Sequence, residues 1–159
     1  MSITTDTSPV VRVIGIVTVV AGVVMLVAGA ITWSQVSSHL AAENITVSED
    51  AAHFGGQQVT NPWTAYYQAD IIAHHTLEAT DGKTYAELDK EDPLRQVAMT
   101  GSFLRASLFT SVVAFGVAAL TMGIGVLFGL VGSALTMLGA RRRPTPTIAA
   151  SSPLAVATT

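Results

Sequence analysis

The chain has 159 residues, 50% of them hydrophobic and 12% charged, with a mean hydropathy of +0.51 and a formal net charge of −3. This is too apolar for an ordinary soluble domain of its size, and it leaves no broad basic surface for nucleic acid. Cysteine is absent, which removes disulfides, thiolate nucleophiles, iron–sulfur clusters and Cys-ligated zinc, so any metal would rest on His and carboxylate.

A short N-terminal segment, residues 1–12, ends at Arg12. It is followed by VIGIVTVVAGVVMLVAGAITW over 13–33, without a charge and closed by an interfacial aromatic. Such a run reads as a transmembrane helix. The competing reading is a signal peptide cleaved near Ala28-Gly29-Ala30, but the run is longer than the ~7–15 residues of a signal core. Gly15, Gly22 and Gly29 recur at seven-residue spacing, which returns to nearly the same helix face and makes a stripe for close backbone approach.

The segment 34–105 carries four Lys and Arg against ten Asp and Glu, a net of −6, and holds all four histidines at 39, 53, 74 and 75. SQVSSHLAAEN continues helix-compatible beyond Trp33. Asn44-Ile45-Thr46 matches a glycosylation acceptor, meaningful only in a secretory eukaryotic setting. Gly55-Gly56 breaks the pattern. Asn61 as N-cap with Pro62 behind it, and Asp81-Gly82 as a stop, predict a helix of about 18 residues. Trp63, Tyr66, Tyr67, Ile71, Ile72 and Leu77 on it should pack against neighbouring helix ends or rest at a bilayer surface. Thr84-Tyr85-Ala86-Glu87 has capping-box spacing for a further short helix.

Within the 18-residue helix, DIIAHHTLE sets Asp70, His74 and Glu78 at i, i+4 and i+8, beside His75. These, with His53 or His39 brought over by the fold, are the candidate metal ligands. Adjacent His74 and His75 project about 100° apart on a helix and cannot readily ligate one ion together, so the simpler reading is the wet face of a packing helix. No cofactor and no catalytic constellation are expected.

Asp92-Pro93 repeats the cap-then-proline signal, and helix should run from there into ASLFTSVVAFGVAALTMGIGVLFGLVGSALTML over 106–138. These 33 uncharged residues exceed the ~20 needed to cross the hydrocarbon core, so the outer turns should project from it. Gly125, Gly132 and Gly139 form a second seven-residue stripe, and Gly116 with Gly123 another. Gly125 and Gly129 in GVLFG make a G-x-x-x-G, a candidate homodimer face. Neither span contains an ionisable side chain, which argues against a transporter; its hydroxyls can bond their own helix carbonyls. Arg12 before the first span and Arg141, Arg142 and Arg143 after the second place both termini in the cytoplasm by the positive-inside bias. The tail, 139–159, is rich in Pro, Ala, Ser and Thr and should lie disordered.

The expected fold is therefore an all-α membrane protein, a two-helix transmembrane hairpin with a small helical extracytoplasmic cap. ENITVSEDAAHFGGQQVTNPWTAYYQADII, LEATDGKTYAELDKEDPLR and GSFLRASLFTSVVAFGVAAL resemble a family of small actinobacterial two-span membrane proteins, over roughly residues 10–138. Many of these carry the label aromatic ring-opening dioxygenase LigA-like. The residues do not support that chemistry: non-haem Fe(II) needs two His and one carboxylate in a facial array. The function expected is that of a non-catalytic accessory, scaffold or interaction component of the cell membrane. Its partners would be the lipid bilayer, an unidentified membrane or envelope protein and, through GVLFG, a second copy. The alternatives are a metal-dependent enzyme or metal-binding module using His74 with Glu78 or Asp70, an oligomeric pore, and an external pH or cation sensor.

Overall fold

The computed structural model describes residues 8–141, and these form three helices, α1 (Ser8–Ala42), α2 (Pro62–Ala79) and α3 (Leu94–Arg141). No strand occurs among the described residues; one isolated antiparallel bridge joins Thr46 and Gln58. Two of the helices, α1 and α3, are long and apolar enough to cross a membrane. At 1.5 Å per residue, the 35 residues of α1 and 48 of α3 reach about 52 and 72 Å, both beyond a ~30 Å hydrocarbon core. Of the expected tail, Gly139, Ala140 and Arg141 are the helical end of α3 rather than disordered; residues 142–159, Arg142 and Arg143 among them, lie outside the described residues, as do residues 1–7.

The two long helices pack antiparallel along their buried glycines. A Cβ built on Gly22 would stand 2.6 Å from the Gly125 carbonyl oxygen and 2.9 Å from the Gly129 nitrogen. One on Gly15 would stand 2.8 Å from the Gly132 carbonyl oxygen, and one on Gly29 would stand 2.9 Å from that of Ala118. Real side chains do not fit at such distances, so the backbones touch there only because these positions lack them. Away from this seam the helices carry their apolar side chains outward. Only 11% of the most apolar window of α1 and 17% of that of α3 are buried, where the core helix of a soluble protein would be mostly buried.

Side-chain packing of the ordinary kind begins only towards the C-terminal end of α1 and the N-terminal half of α3. There Leu40, Val47, Val59, Ala65, Leu108 and Phe115 form one buried cluster, with Trp33 and Phe109 packed against it. Trp33 and Phe115 meet edge to face at 4.7 Å, a geometry worth ~0.5–1.5 kcal/mol beyond area burial.

α2 starts where Asn61 Oδ1 accepts from the backbone N–H groups of Trp63 and Thr64, both at 3.0 Å, with Pro62 in the first turn. Thr64 completes a capping box by accepting from the Asn61 N–H at 3.3 Å. The buried residues Thr64, Ala65, Gln68, Ala69 and Ile71 form a stripe facing α3 and the loop 44–59. That loop folds back on itself through Val47 N–H to Gln57 O and Gly56 N–H to Val47 O, both at 2.8 Å. Gln68 ties it to α2 by accepting from the Ser48 N–H at 2.9 Å.

The expected short helix at Thr84–Glu87 is a turn instead. Glu87 does accept from the Thr84 N–H at 2.8 Å, but the Thr84 hydroxyl donates to the same carboxylate at 2.7 Å rather than accepting from the turn. With Asp92-Pro93 only five residues further on, there is no length over which to repay helix nucleation.

Candidate functional site

The polar line of α2 resolves into two separate pairs. His74 Nε2 stands 3.2 Å from Glu78 Oε1, one helical turn on, with both side chains largely exposed. His75 points elsewhere, as its 100° offset requires, and its Nε2 meets Asp50 Oδ2 of the loop 44–59 at 2.6 Å. Nothing in the spacing of Asp50 to α2 announces it in the sequence as a partner 25 positions away. Hydrogen bonding from His75 holds the Asp50 carboxyl below the ordinary carboxylate range. The Glu87 carboxyl is lowered too, first by the Thr84 backbone N–H and then by its hydroxyl.

His53 joins neither pair. Its ring stands edge-on to Tyr67 at 4.9 Å and to Phe54 at 6.3 Å, in an aromatic cluster on the loop side of α2. Asp70 is exposed on α2. His39 lies on α1 one turn before Glu43, lining a groove of about 610 Å³ with Gln68, Ser107 and Ser111. Among the described residues no group of three or more His, Cys, Asp or Glu is arranged to hold a metal ion. The separation has a simple cause: His74, His75 and His53 are each committed to a different neighbour, on different faces.

The packing glycines divide as well. Gly15, Gly22, Gly29, Gly125 and Gly132 all line the α1–α3 seam. In GVLFG, Gly125 is taken up by Gly22 and Leu26 of the same chain, whereas a Cβ on Gly129 would meet nothing within 4 Å. Both glycines of that motif border the seam, Gly129 through its backbone nitrogen, but only Gly125 directs its missing side chain into it. At the end of the seam, a Cβ on Gly139 would stand 2.9 Å from Arg12 Cβ.

The span hydroxyls turn inward on their own helices. Thr18, Thr32, Thr110, Thr121, Ser133 and Thr136 each donate to the carbonyl four residues earlier, at 2.7–3.0 Å.

The feature that sequence reading missed is a groove of about 450 Å³ between the first turn of α2 and the flanks of α1 and α3. Trp33, Trp63, Tyr66 and Tyr67 line it, over a floor of Val112, Phe115 and Gly116. Its aromatic composition was legible, but three elements have to converge before those rings face one space. Tyr66 is braced edge-on by Tyr67 at 5.4 Å and by Phe109 at 5.9 Å, and Trp63 is 68% exposed. No lining residue carries a formal charge; the polar side-chain atoms are two indole N–H groups and two phenol O–H groups. Such a site can hold an apolar ligand by contact, and offers nothing to activate a bond.

Comparison of the chain with protein-family models, with curated proteins and with solved structures finds no match.

Proposed function

We infer that the chain, like the small actinobacterial two-span proteins its sequence resembles, is a non-catalytic integral protein of the cell membrane. In this reading α1 and α3 form a two-span hairpin with both termini cytoplasmic. The segment between them is an external helical cap through which the protein acts as an accessory or interaction component, with an envelope or membrane protein as partner. The observation that carries the reading is the contrast along the long helices. Their apolar side chains stay outside over most of the charge-free runs, and burial is concentrated where the loop 44–59 and α2 cover the helices, around Leu40 on α1 and Leu108, Phe115 and Ala118 on α3.

The seam also supports retention of the first helix. Removal of residues up to Ala30 would strip α3 of Gly15, Gly22 and Gly29, the positions against which it is shaped. The self-bonded hydroxyls favour packing over a pore lining.

Single-cysteine labelling tests the topology, since the chain has no native cysteine. In intact cells, Cys placed at exposed Ala52 or Glu91 should react with a membrane-impermeant maleimide, and Cys at Ser2 should react only after lysis. Labelling of all three in intact cells, or of none, sinks the two-span orientation. Co-purification from mild detergent with the cap intact, compared with Tyr85→Ala and Leu77→Ala, tests the partner.

A further inference from the structure

We propose that the aromatic groove between α2, α1 and α3 is a lipid subsite that takes one acyl chain of a phospholipid. This deepens the membrane reading above and rests on it.

The groove is continuous with the outer surface of α3. Val112, Gly116 and Ala119 line it at i, i+4 and i+7, a single stripe of that helix. Directly beside that stripe, Val113, Val117 and Leu120 are exposed, each by more than half. The floor of the groove therefore passes without a polar break into the outward apolar face of the helix. Whatever medium covers that face has access to the groove, and in the membrane reading that medium is hydrocarbon. Trp33, after which α1 turns polar with Ser34 and Gln35, marks the level: in the membrane reading the groove stands at the water–hydrocarbon boundary, with the first turn of α2 overhanging it.

The shape is consistent with a chain rather than a headgroup. A lining without formal charge offers no counter-charge to a phosphate or an ammonium. At Gly116 a Cβ would meet nothing within 4 Å, so the floor is open there because the residue has no side chain. The volume, about 450 Å³, lies within the ~300–1,000 Å³ of small-molecule sites, and lining by aromatic rings is their usual composition. An ordered chain seated there would meet Trp33, Tyr66 and Tyr67 already braced by Phe115, Phe109 and each other, so that of the four rings Trp63 has the most left to order on binding.

The chain has two tryptophans, and both line the groove, so the site carries its own probe. The full chain with Trp63→Phe, leaving Trp33 as the sole emitter, is reconstituted in phosphatidylcholine vesicles. The acyl chains are brominated near the headgroup or, separately, near the methyl end. The expected result is strong quenching of Trp33 by the headgroup-proximal bromines. Gly116→Phe, which fills the open floor, should remove the larger part of it, whereas Gly123→Phe, on the same face beyond the groove and with equally open space, should leave it unchanged. Ala119→Phe, on the groove's edge, serves as a second filler should Gly116→Phe not fold.

Equal quenching in both fillers and in the Gly123 control overturns the proposal while leaving the membrane reading standing. Quenching that falls as the protein-to-lipid ratio rises assigns the groove to a second copy and overturns it too. Failure of the protein to float with the vesicles, with no quenching at either depth, removes the membrane reading and the subsite together.

Discussion

The glycine seam and the side-chain core hold the same two helices together by opposite means. Along the seam, α1 and α3 touch backbone to backbone, and the contact exists because Gly15, Gly22, Gly125 and Gly132 have nothing to put between them. In the core, α1 and α3 are held through bulk: Leu40, Leu108 and Phe115, interleaved with Val47 and Val59 from the loop and Ala65 and Ala69 from α2. In the membrane reading, the difference comes from the surroundings. Where these are as apolar as the side chains, burying a side chain gains little, and close van der Waals approach is what remains. Where the loop 44–59 and α2 cover the two helices, Leu and Phe find side-chain partners to be buried against, and that burial is again a large favourable term.

This contrast predicts opposite responses to substitution. Removing bulk should damage the core most. Phe115→Ala, at 1% exposure and in contact with Trp33, should lower unfolding free energy by about 3–5 kcal/mol, read by chemical or thermal unfolding in detergent. Val117→Ala, two residues on but pointing outward, should change it little. A comparable loss from both would mean that Phe115 is not a core residue.

Adding bulk should damage the seam. Gly22→Leu drives a side chain into the Gly125 carbonyl and the Gly129 amide, so the helices must separate, at a cost at or above the ~1–3 kcal/mol of ordinary overpacking. Gly129→Leu and Gly123→Leu meet open space and should be close to neutral. The informative outcome is the ordering: if Gly129→Leu proves as harmful as Gly22→Leu, a second helix covers Gly129, and crosslinking would then show a dimer.

Two smaller effects belong to the segment between the long helices. Asn61→Ala removes the acceptor for two N–H groups at the start of α2 and should cost ~0.5–2 kcal/mol, with Asn61→Asp retaining most of it. The smallest effect is that of the Asp50–His75 contact, since both groups are exposed. The Asp50 carboxyl is lowered in the folded state, so its contribution is present above the ordinary carboxylate pKa of about 3.9 and is lost as pH falls through the lowered value. NMR amide shifts of Val47 and Gly56 should report loosening of the loop 44–59 over that acid range. Asp50→Asn should abolish the dependence, and an unchanged profile in that variant would assign the transition to another carboxylate.

Local signals in the sequence went far where one residue decides its own surroundings. Asn61-Pro62 marked the start of α2, Asp92-Pro93 the approach to α3, and the charge-free runs marked the two long apolar helices. Thr84–Glu87 failed the same kind of reading because the Glu87 carboxylate can close a single turn on Thr84 without a helix following; the length of chain free to continue beyond the turn decides which. For the histidines, the 100° offset of His74 and His75 was enough to separate them, yet it could not say that His75 would find Asp50.

What the sequence determined by itself is the set of surfaces: two apolar helices, a glycine stripe on each, an aromatic helix start and an acidic connecting segment. Periodicity and local caps dictate these, because each depends on residues within a turn or two of one another. Only the tertiary structure decided which surfaces are used against which. It matched Gly22 to Gly125 and left the side-chain direction of Gly129 open, dispersed the histidines, and drew Trp33, Trp63 and Tyr66 from two separate helices around one groove. Those outcomes depend on how two long helices register against each other and how a loop of some twenty residues returns between them, which no local pattern encodes.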